Sequence, residues 1–176
     1  MKRVMELLVT CQMDSVRQQC RACALIYLLH YPLGEKRLRA HIVQLAANVD
    51  FTFETGRKSV LEMLHACARE FADDVLQAYS DTILLALVTR LVNEPTRSVK
   101  AMVVQLIKQL VTRAPKQQVD GIVKMVQEWG REGQLLRQQA SLHLMCIVID
   151  ALGERAMRYG AALLQVRETQ NLNPKP

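Results

Sequence analysis

A period of 40 residues runs through this sequence, and arginine marks it most clearly. The arginines that share one phase are Arg17, Arg57, Arg97 and Arg137. Three residues before each of them stands a polar side chain: Asp14, Glu54, Glu94 and Gln134. Apolar residues repeat at two further phases, Ala24, Leu64, Val104 and Leu144 in one and Tyr27, Cys67, Ile107 and Ile147 in the other. This register predicts repeating units whose equivalent apolar residues are buried in equivalent places.

The spacing of the apolar residues inside each unit predicts the fold class. They recur at intervals of three and four, which is typical of amphipathic α-helices. Helical units of about 40–47 residues are the signature of HEAT and armadillo solenoids. Half of the residues are hydrophobic and only 5% are aromatic, which fits aliphatic helix packing rather than a β fold. We predict an all-α, HEAT-type α-solenoid of about four helix pairs plus one extra helix.

Turn residues divide the chain into the predicted elements. The predicted helices are 1–11, 14–31, 36–49, 56–71, 74–92, 96–113, 115–129 and 135–152, followed by an unpaired helix at 154–167. Two phenylalanines, Phe51 and Phe53, lie between the predicted helices 36–49 and 56–71. They are expected to fill the gap between these two helices. Residues 1–168 are assigned to the solenoid and 169–176 to an unstructured tail. Because neither end has the polar face of a capping repeat, we expect a segment of a longer protein.

Composition and charge narrow the setting of the protein. No apolar run approaches the length of a membrane span, so no membrane partner is expected. Five cysteines without a secretory signal indicate free thiols in a reducing compartment. The formal net charge of +6 favours acidic partners or nucleic acid without identifying one.

Cys20 and Cys23 form the one arrangement with potential chemistry, a CxxC that could take part in zinc binding or thiol exchange. The repeat favours a structural interpretation, because Met63 and Val103 stand at the position of Cys23 in the next two units. The histidines have no metal-ligand spacing: His30, His41, His65 and His143. We find no nucleophile–base pair or glycine-rich phosphate loop. We therefore predict no catalytic site, no cofactor, no metal and no small-molecule substrate, and an enzyme using the two cysteines is the least favoured alternative.

The arginine series has two interpretations. In the structural one, each arginine bonds the acid three residues before it or carbonyl groups of a neighbouring unit. In the functional one, the four guanidinium groups follow a phosphate backbone. Three of the four arginines have their own acid nearby, which favours the structural interpretation.

Other basic residues are better candidates for contact with RNA or a protein partner. They form one cluster on the third predicted helix, one addition beside the arginine series, and one cluster around residue 113. These candidates are Lys36, Arg37, Arg39, Lys58, Lys108, Arg113 and Lys116. The alternative is that they form only a solvated positive face.

Two motifs resemble a known family. Residues 31–36 read Tyr-Pro-Leu-Gly-Glu-Lys and residues 56–64 read Gly-Arg-Lys-Ser-Val-Leu-Glu-Met-Leu. Both are similar to the U3 small nucleolar RNA-associated protein 20 family, also called down-regulated in metastasis. Looser similarity at 93–102, Trp129 and 136–140 extends the resemblance over residues 14–152, whereas 98–100 and the part after 152 depart from it.

The resemblance implies a function that the residues alone do not supply. Members of that family are very large HEAT-repeat scaffolds of the small-subunit processome, the nucleolar particle that matures ribosomal RNA. It therefore implies a non-catalytic scaffold segment located in the nucleus and nucleolus. The implied partners are ribosome-assembly proteins, together with pre-rRNA or the U3 particle.

A HEAT-repeat adaptor of another class is the alternative function. Nuclear transport receptors and phosphatase scaffolds use the same fold, so the period alone does not separate them from a ribosome-assembly scaffold. An acidic inner surface would favour transport of basic cargo, and the net positive charge points the other way.

Overall fold

The computed structural model describes residues 1–160, and α-helices account for most of this range. The helices are α1 Lys2–Thr10, α2 Asp14–His30, α3 Gly34–Ala47, α4 Glu54–Glu70, α5 Asp73–Asn93, α6 Arg97–Arg113, α7 Lys116–Arg131 and α8 Leu135–Leu152. Two 3-10 segments, Asn48–Asp50 and Gly153–Tyr159, follow α3 and α8. The prediction of an all-α fold is confirmed for the described residues. The predicted tail and the end of the predicted helix at 154–167 lie outside them.

All eight helices that were predicted to form the four pairs are present, and α8 has the predicted bounds. The segment after α8 differs from its prediction, because residues that were expected to begin an α-helix at 154 form a 3-10 helix. Gly153 has a φ of +53°, a left-handed value that interrupts the regular α-helical backbone at the end of α8.

Successive helices pack in pairs, and each pair contacts the next pair along the chain. Within pairs, α1 contacts α2, α5 contacts α6, and α7 contacts α8. The second helices of successive units form a continuous row in which α2 contacts α4, α4 contacts α6, and α6 contacts α8. In the second pair, the 3-10 segment Asn48–Asp50 connects the two helices, because it packs against both α3 and α4. One apolar core follows this row from Met5 to Ala156.

The repeat predicts most of the buried positions along the row. Ala24, Leu64 and Leu144 are fully buried, as expected. The expectation for Val104 is wrong, because it is half-buried and Val103 takes the buried place. Helix α6 packs against α4, α5 and α8 at once, so neighbours on three sides decide which of its residues face inward.

The CxxC motif provides a second correction to the burial pattern. Cys20 is buried, but Cys23 is exposed, so the prediction that Cys23 fills an apolar core position is wrong. The core position on that turn of α2 belongs to the adjacent Ala24. Tyr27, one turn further on, is half-buried at the edge of the same core.

Helix α5 is both long and apolar. It has 21 residues with a mean hydropathy of 1.4 over its best window, so by length and composition it could cross a membrane. The sequence-based expectation considered only uninterrupted apolar runs and did not identify it. A core helix of a helical protein reaches the same values, and α5 packs against α3, α6 and α8.

The connector before α4 is held by a close approach of three elements. Phe51 is half-buried and packs against the core, as expected, whereas Phe53 is 60% exposed and does not fill the pair. Gly56, on α4, lies against both the Phe51 ring and helix α1. A Cβ atom at Gly56 would overlap the ring of Phe51 and lie 2.7 Å from the carbonyl oxygen of Val9. The absence of a side chain at Gly56 therefore permits this contact between units.

We predict that Gly56→Ala destabilises the protein by about 1–3 kcal/mol, because the backbone of α1 must move to admit the methyl group. Gly121→Ala is the matched control, since a Cβ atom at Gly121 in α7 meets nothing within 4 Å. There the helix propensity of alanine should stabilise by about 0.5–1 kcal/mol. Urea unfolding measures both changes, and two changes of the same sign would contradict the packing of α1 on α4.

Candidate nucleic-acid interface

Arg17 lies in the first turn of α2 and is buried. It acts as a clamp, because its side chain bonds the connector between α1 and α2. Its Nη1 donates hydrogen bonds to the carbonyl oxygens of Cys11, at 2.8 Å, and Gln12, at 3.0 Å. Its Nη2 donates to the Asp14 carboxylate at 2.8 Å. Both the acid three residues earlier and the connector carbonyls are therefore its partners, which agrees with the structural interpretation.

Arg57 repeats this geometry one unit later but has a different acid. Its Nη1 donates to the carbonyl oxygens of Phe51 and Thr52, at 3.0 and 2.9 Å, at the same sequence offsets as in Arg17. Its Nε and Nη2 form a bidentate ion pair with the Glu94 carboxylate, with N–O distances of 2.9 and 3.0 Å. The expected pair with Glu54 is wrong, because Glu54 pairs instead with Lys58 at 2.6 Å.

The Glu94 side chain is fully buried and has all its polar partners within the protein. Besides Arg57, the Nε of Arg90 donates to it at 2.6 Å and the backbone N–H of Thr96 at 2.9 Å. Burial alone would raise the pKa of Glu94, but the hydrogen bonds from Arg57, Thr96 and Arg90 outweigh it and leave the pKa below its ordinary value. Arg90 also pairs with Asp50, so this buried group joins three successive elements.

Arg97 and Arg137 do not repeat the clamp, and both are exposed. The carbonyl groups that Arg97 would need belong to residues 91 and 92, which lie inside the long helix α5 rather than in a connector. Arg137 pairs with the carboxylate of Glu132 at the surface. The structural interpretation of the arginine series therefore holds for its first two members only.

The candidate cations divide into unpaired and paired groups. Lys36, Arg37 and Arg39 are exposed near the start of α3, and Lys116 is exposed at the start of α7. Within residues 1–160 none of these four has an ion pair. Their charge is thus available to a partner.

The other three candidates are held by acids of this chain. Lys58 pairs with Glu54, Lys108 with Asp150, and Arg113 with Asp73. Arg113 additionally donates from Nη2 to the carbonyl oxygen of Phe71 at 2.8 Å. Lys108 and Arg113 link residues about one unit apart and so stabilise the stack. The geometry gives these three cations a structural role and leaves less of their charge for a partner.

An aromatic group beside α3 was missed by the sequence-based reasoning. The rings of Tyr27 and Tyr31 are stacked, with centroids 4.9 Å apart and planes at 21°. His41 meets the Tyr27 ring edge-on, at 5.7 Å and 85°. The spacing of four residues between the tyrosines, at the end of a helix, was the available signal, because such residues are neighbours on a helix surface.

The described part of the chain contains five free cysteines, of which Cys20 and Cys67 are buried. No cluster of three or more His, Cys, Asp or Glu side chains there could hold a metal ion. Burial raises the pKa of Cys67 to about 12. Burial, and secondarily the nearby Cys23 and Cys11, also raise the pKa of Cys20. Both buried thiols are therefore protonated at neutral pH and behave as small apolar side chains.

A mainly apolar groove runs between α5 and α7, where these helices separate. Its volume is about 410 Å³. The residues that line it are Asp81, Leu84, Leu85, Gln117, Gln118, Gly121, Ile122 and Met125. Its polar lining residues are Asp81, Gln117 and Gln118, and the other five are apolar side chains or glycine.

We predict that Glu94→Ala destabilises the protein by about 3–5 kcal/mol, because it leaves the buried Arg57 without its carboxylate. Glu54→Ala is the matched control and should cost less than about 1 kcal/mol, since the pair of Glu54 with Lys58 is partly exposed. Urea unfolding of the two variants separates the partners. A larger loss for Glu54→Ala would contradict the pairing seen here.

Glu94 should also make stability depend on pH. Because its pKa is lower in the folded than in the unfolded protein, its contribution is complete above its ordinary pKa of 4.5 and disappears as the pH falls through the folded value. We therefore expect the difference in unfolding free energy between the unaltered protein and Glu94→Gln to shrink on acidification below 4.5. Urea unfolding over a pH series measures it, and a constant difference would contradict the assignment.

Comparison with known proteins identifies the family. No protein-family model matches the chain. The chain is 33% identical over 126 residues to U3 small nucleolar RNA-associated protein 20 of Schizosaccharomyces pombe, a match that covers 72% of this chain. It is 23% identical over 124 residues, or 70% of this chain, to the Saccharomyces cerevisiae protein of the same name.

Each match covers only 5% of the length of the relative itself, which is a much longer protein than this chain. The resemblance carried by the motifs at 31–36 and 56–64 is therefore confirmed by similarity over most of the chain. Over this matched region, the chain belongs to the U3 small nucleolar RNA-associated protein 20 family.

Proposed function

We propose that this chain is a HEAT-repeat segment of a non-catalytic scaffold in small ribosomal subunit assembly. It would act in pre-rRNA processing in the nucleolus, as part of the small-subunit processome. The observation that carries the proposal is its 33% identity over 126 residues to a protein named for association with the U3 small nucleolar RNA. The partners proposed are ribosome-assembly proteins and pre-rRNA or the U3 particle.

The packing supports the HEAT-type solenoid in this proposal. The row formed by α2, α4, α6 and α8 places equivalent helices of successive units side by side. Arg17 and Arg57 clamp equivalent connector carbonyls, which is the behaviour of repeated units rather than of unrelated helix pairs. Solenoids stack units into extended surfaces that suit scaffolding.

Direct contact with RNA is proposed for the unpaired cations. Lys36, Arg37, Arg39 and Lys116 are exposed and have no acid partner among the described residues. A cation that keeps its charge available can displace counterions from a phosphate backbone, and this release favours binding. Lys58, Lys108 and Arg113 would contribute less, because each already neutralises an acid of this chain.

Nuclear transport receptors and phosphatase scaffolds remain the alternative functional class. They share only the helical architecture, which does not by itself define function. The named relatives favour ribosome assembly over both.

We predict that replacing Lys36, Arg37 and Arg39 with glutamine weakens binding to single-stranded RNA and flattens its dependence on salt. For every cation that touches a phosphate in the unaltered chain, its replacement should reduce the slope of log K against log salt by about 0.7. The charge-matched control replaces Lys58, Lys108 and Lys124, which all pair with acids. Fluorescence anisotropy over a salt series compares the two triple variants.

Recovery of a tagged full chain with pre-ribosomal particles tests the scaffold itself. If the chain enters the particles and neither triple variant alters RNA affinity, its contacts there are with proteins. If the chain is never recovered with such particles, the scaffold assignment fails.

A further inference from the structure

The aromatic group at the junction of α2 and α3 presents one ring to solvent on a fixed support. Tyr31 is 53% exposed and stacks on Tyr27, which is itself half-buried against the core. His41, on α3, braces the Tyr27 ring from its edge. An exposed aromatic ring backed by a second ring is a flat apolar surface of the size of a nucleobase.

The local backbone holds Tyr31 in place before any ligand binds. The Tyr31 backbone N–H donates to the Tyr27 carbonyl oxygen at 3.1 Å, and the Leu33 N–H donates to the Tyr31 carbonyl oxygen at 2.7 Å. Leu33 is buried, and Gly34 begins α3 with a φ of +66°, a left-handed value that favours glycine. A ring fixed in this way loses little conformational entropy on binding.

Unpaired positive charge lies beside these rings. Arg37 precedes His41 by four residues on α3, so the two lie on the same side of the helix. Lys36 adjoins Arg37, and both are exposed. Burial, and secondarily the positive amino terminus of the chain, lower the pKa of His41, so its ring is neutral at neutral pH and acts as an aromatic surface. The combination is an aromatic surface bordered by free cations.

From this arrangement we infer that Tyr31, supported by Tyr27 and His41, is a base-stacking site for single-stranded RNA, with Lys36 and Arg37 contacting the adjacent phosphates. The inference deepens the proposed function and rests on its RNA contact. Stacking on aromatic side chains tolerates any base, because every base has a π face. Bases in a duplex are already stacked, whereas those of single-stranded loops and ends are open to such contacts. The site should therefore prefer single strands over duplexes.

The test measures binding of a short fluorescein-labelled oligouridine to the full chain by fluorescence anisotropy. Tyr31→Leu should weaken binding about tenfold without changing the salt slope, because it removes the stacking ring and leaves the phosphate-binding cations in place. Tyr31→Phe keeps the ring and should bind as the unaltered chain does. Ile26→Ala is the matched control, since Ile26 is an exposed apolar residue of α2, the helix that ends just before Tyr31. A duplex of the same length should bind more weakly than the single strand.

A second measurement does not depend on the folding of any variant. Ultraviolet crosslinking of the unaltered chain to the oligouridine, read by mass spectrometry, should place a crosslink at Tyr31 or His41. If the chain binds RNA while Tyr31→Leu binds equally well and the crosslinks lie elsewhere, the stacking site is wrong and the proposed RNA contact stands. If the chain enters pre-ribosomal particles but binds no oligouridine, the stacking site is also wrong and this face contacts protein. If the oligouridine results hold and the chain never enters such particles, the site stands and the scaffold proposal fails.

Discussion

The buried pair between Arg57 and Glu94 is the interaction on which the middle of the stack depends. It joins the start of α4 to the junction of α5 and α6, and Arg90 extends it to Asp50, the last residue of the 3-10 segment that follows α3. Two charges removed from water are tolerated only when their hydrogen bonds are complete, and here the guanidinium and the carboxylate each have several partners. The orientation of successive units is therefore fixed by a polar group inside an otherwise apolar row.

Other polar contacts also join neighbouring units along the chain. Arg113 reaches back to Asp73, and the Tyr159 hydroxyl donates to Asp120 at 2.7 Å, each across about one unit. The Nη1 of Arg21 donates to Ser59 in the neighbouring unit at 2.8 Å. These contacts are directional, whereas apolar packing between helices tolerates sliding and rotation. They set the register of a stack whose core alone would leave it less defined.

This internal use of charge determines which surface is available to partners. Basic residues that stabilise the stack are neutralised by acids of the same chain, and those at the start of α3 are not. The unpaired cations at the start of α3 follow the tyrosine stack at the end of α2 closely in sequence, so free charge and an exposed aromatic ring occur together at this junction. That turn also contains one of the two motifs by which the family was recognised. Its sequence thus combines residues with a structural role, Leu33 and Gly34, with groups at the surface, Tyr31 and Lys36.

The sequence alone determined the repeat, the helical class and most of the buried positions, because amphipathic spacing and a 40-residue register are local and periodic properties. Leu64 and Leu144 are buried for that reason, and α8 has its predicted bounds. Only the tertiary structure decided the partners of the charged side chains. Glu54 is closer in sequence to Arg57 than Glu94 is, yet burial of Glu94 beside two guanidinium groups makes it the partner. Likewise, Arg97 has the sequence of a clamp, but α5 continues through the position of the required connector, so the carbonyl groups there point along the helix axis. Long side chains reach across units, and their contacts depend on how the units are stacked, which no pattern within one unit contains.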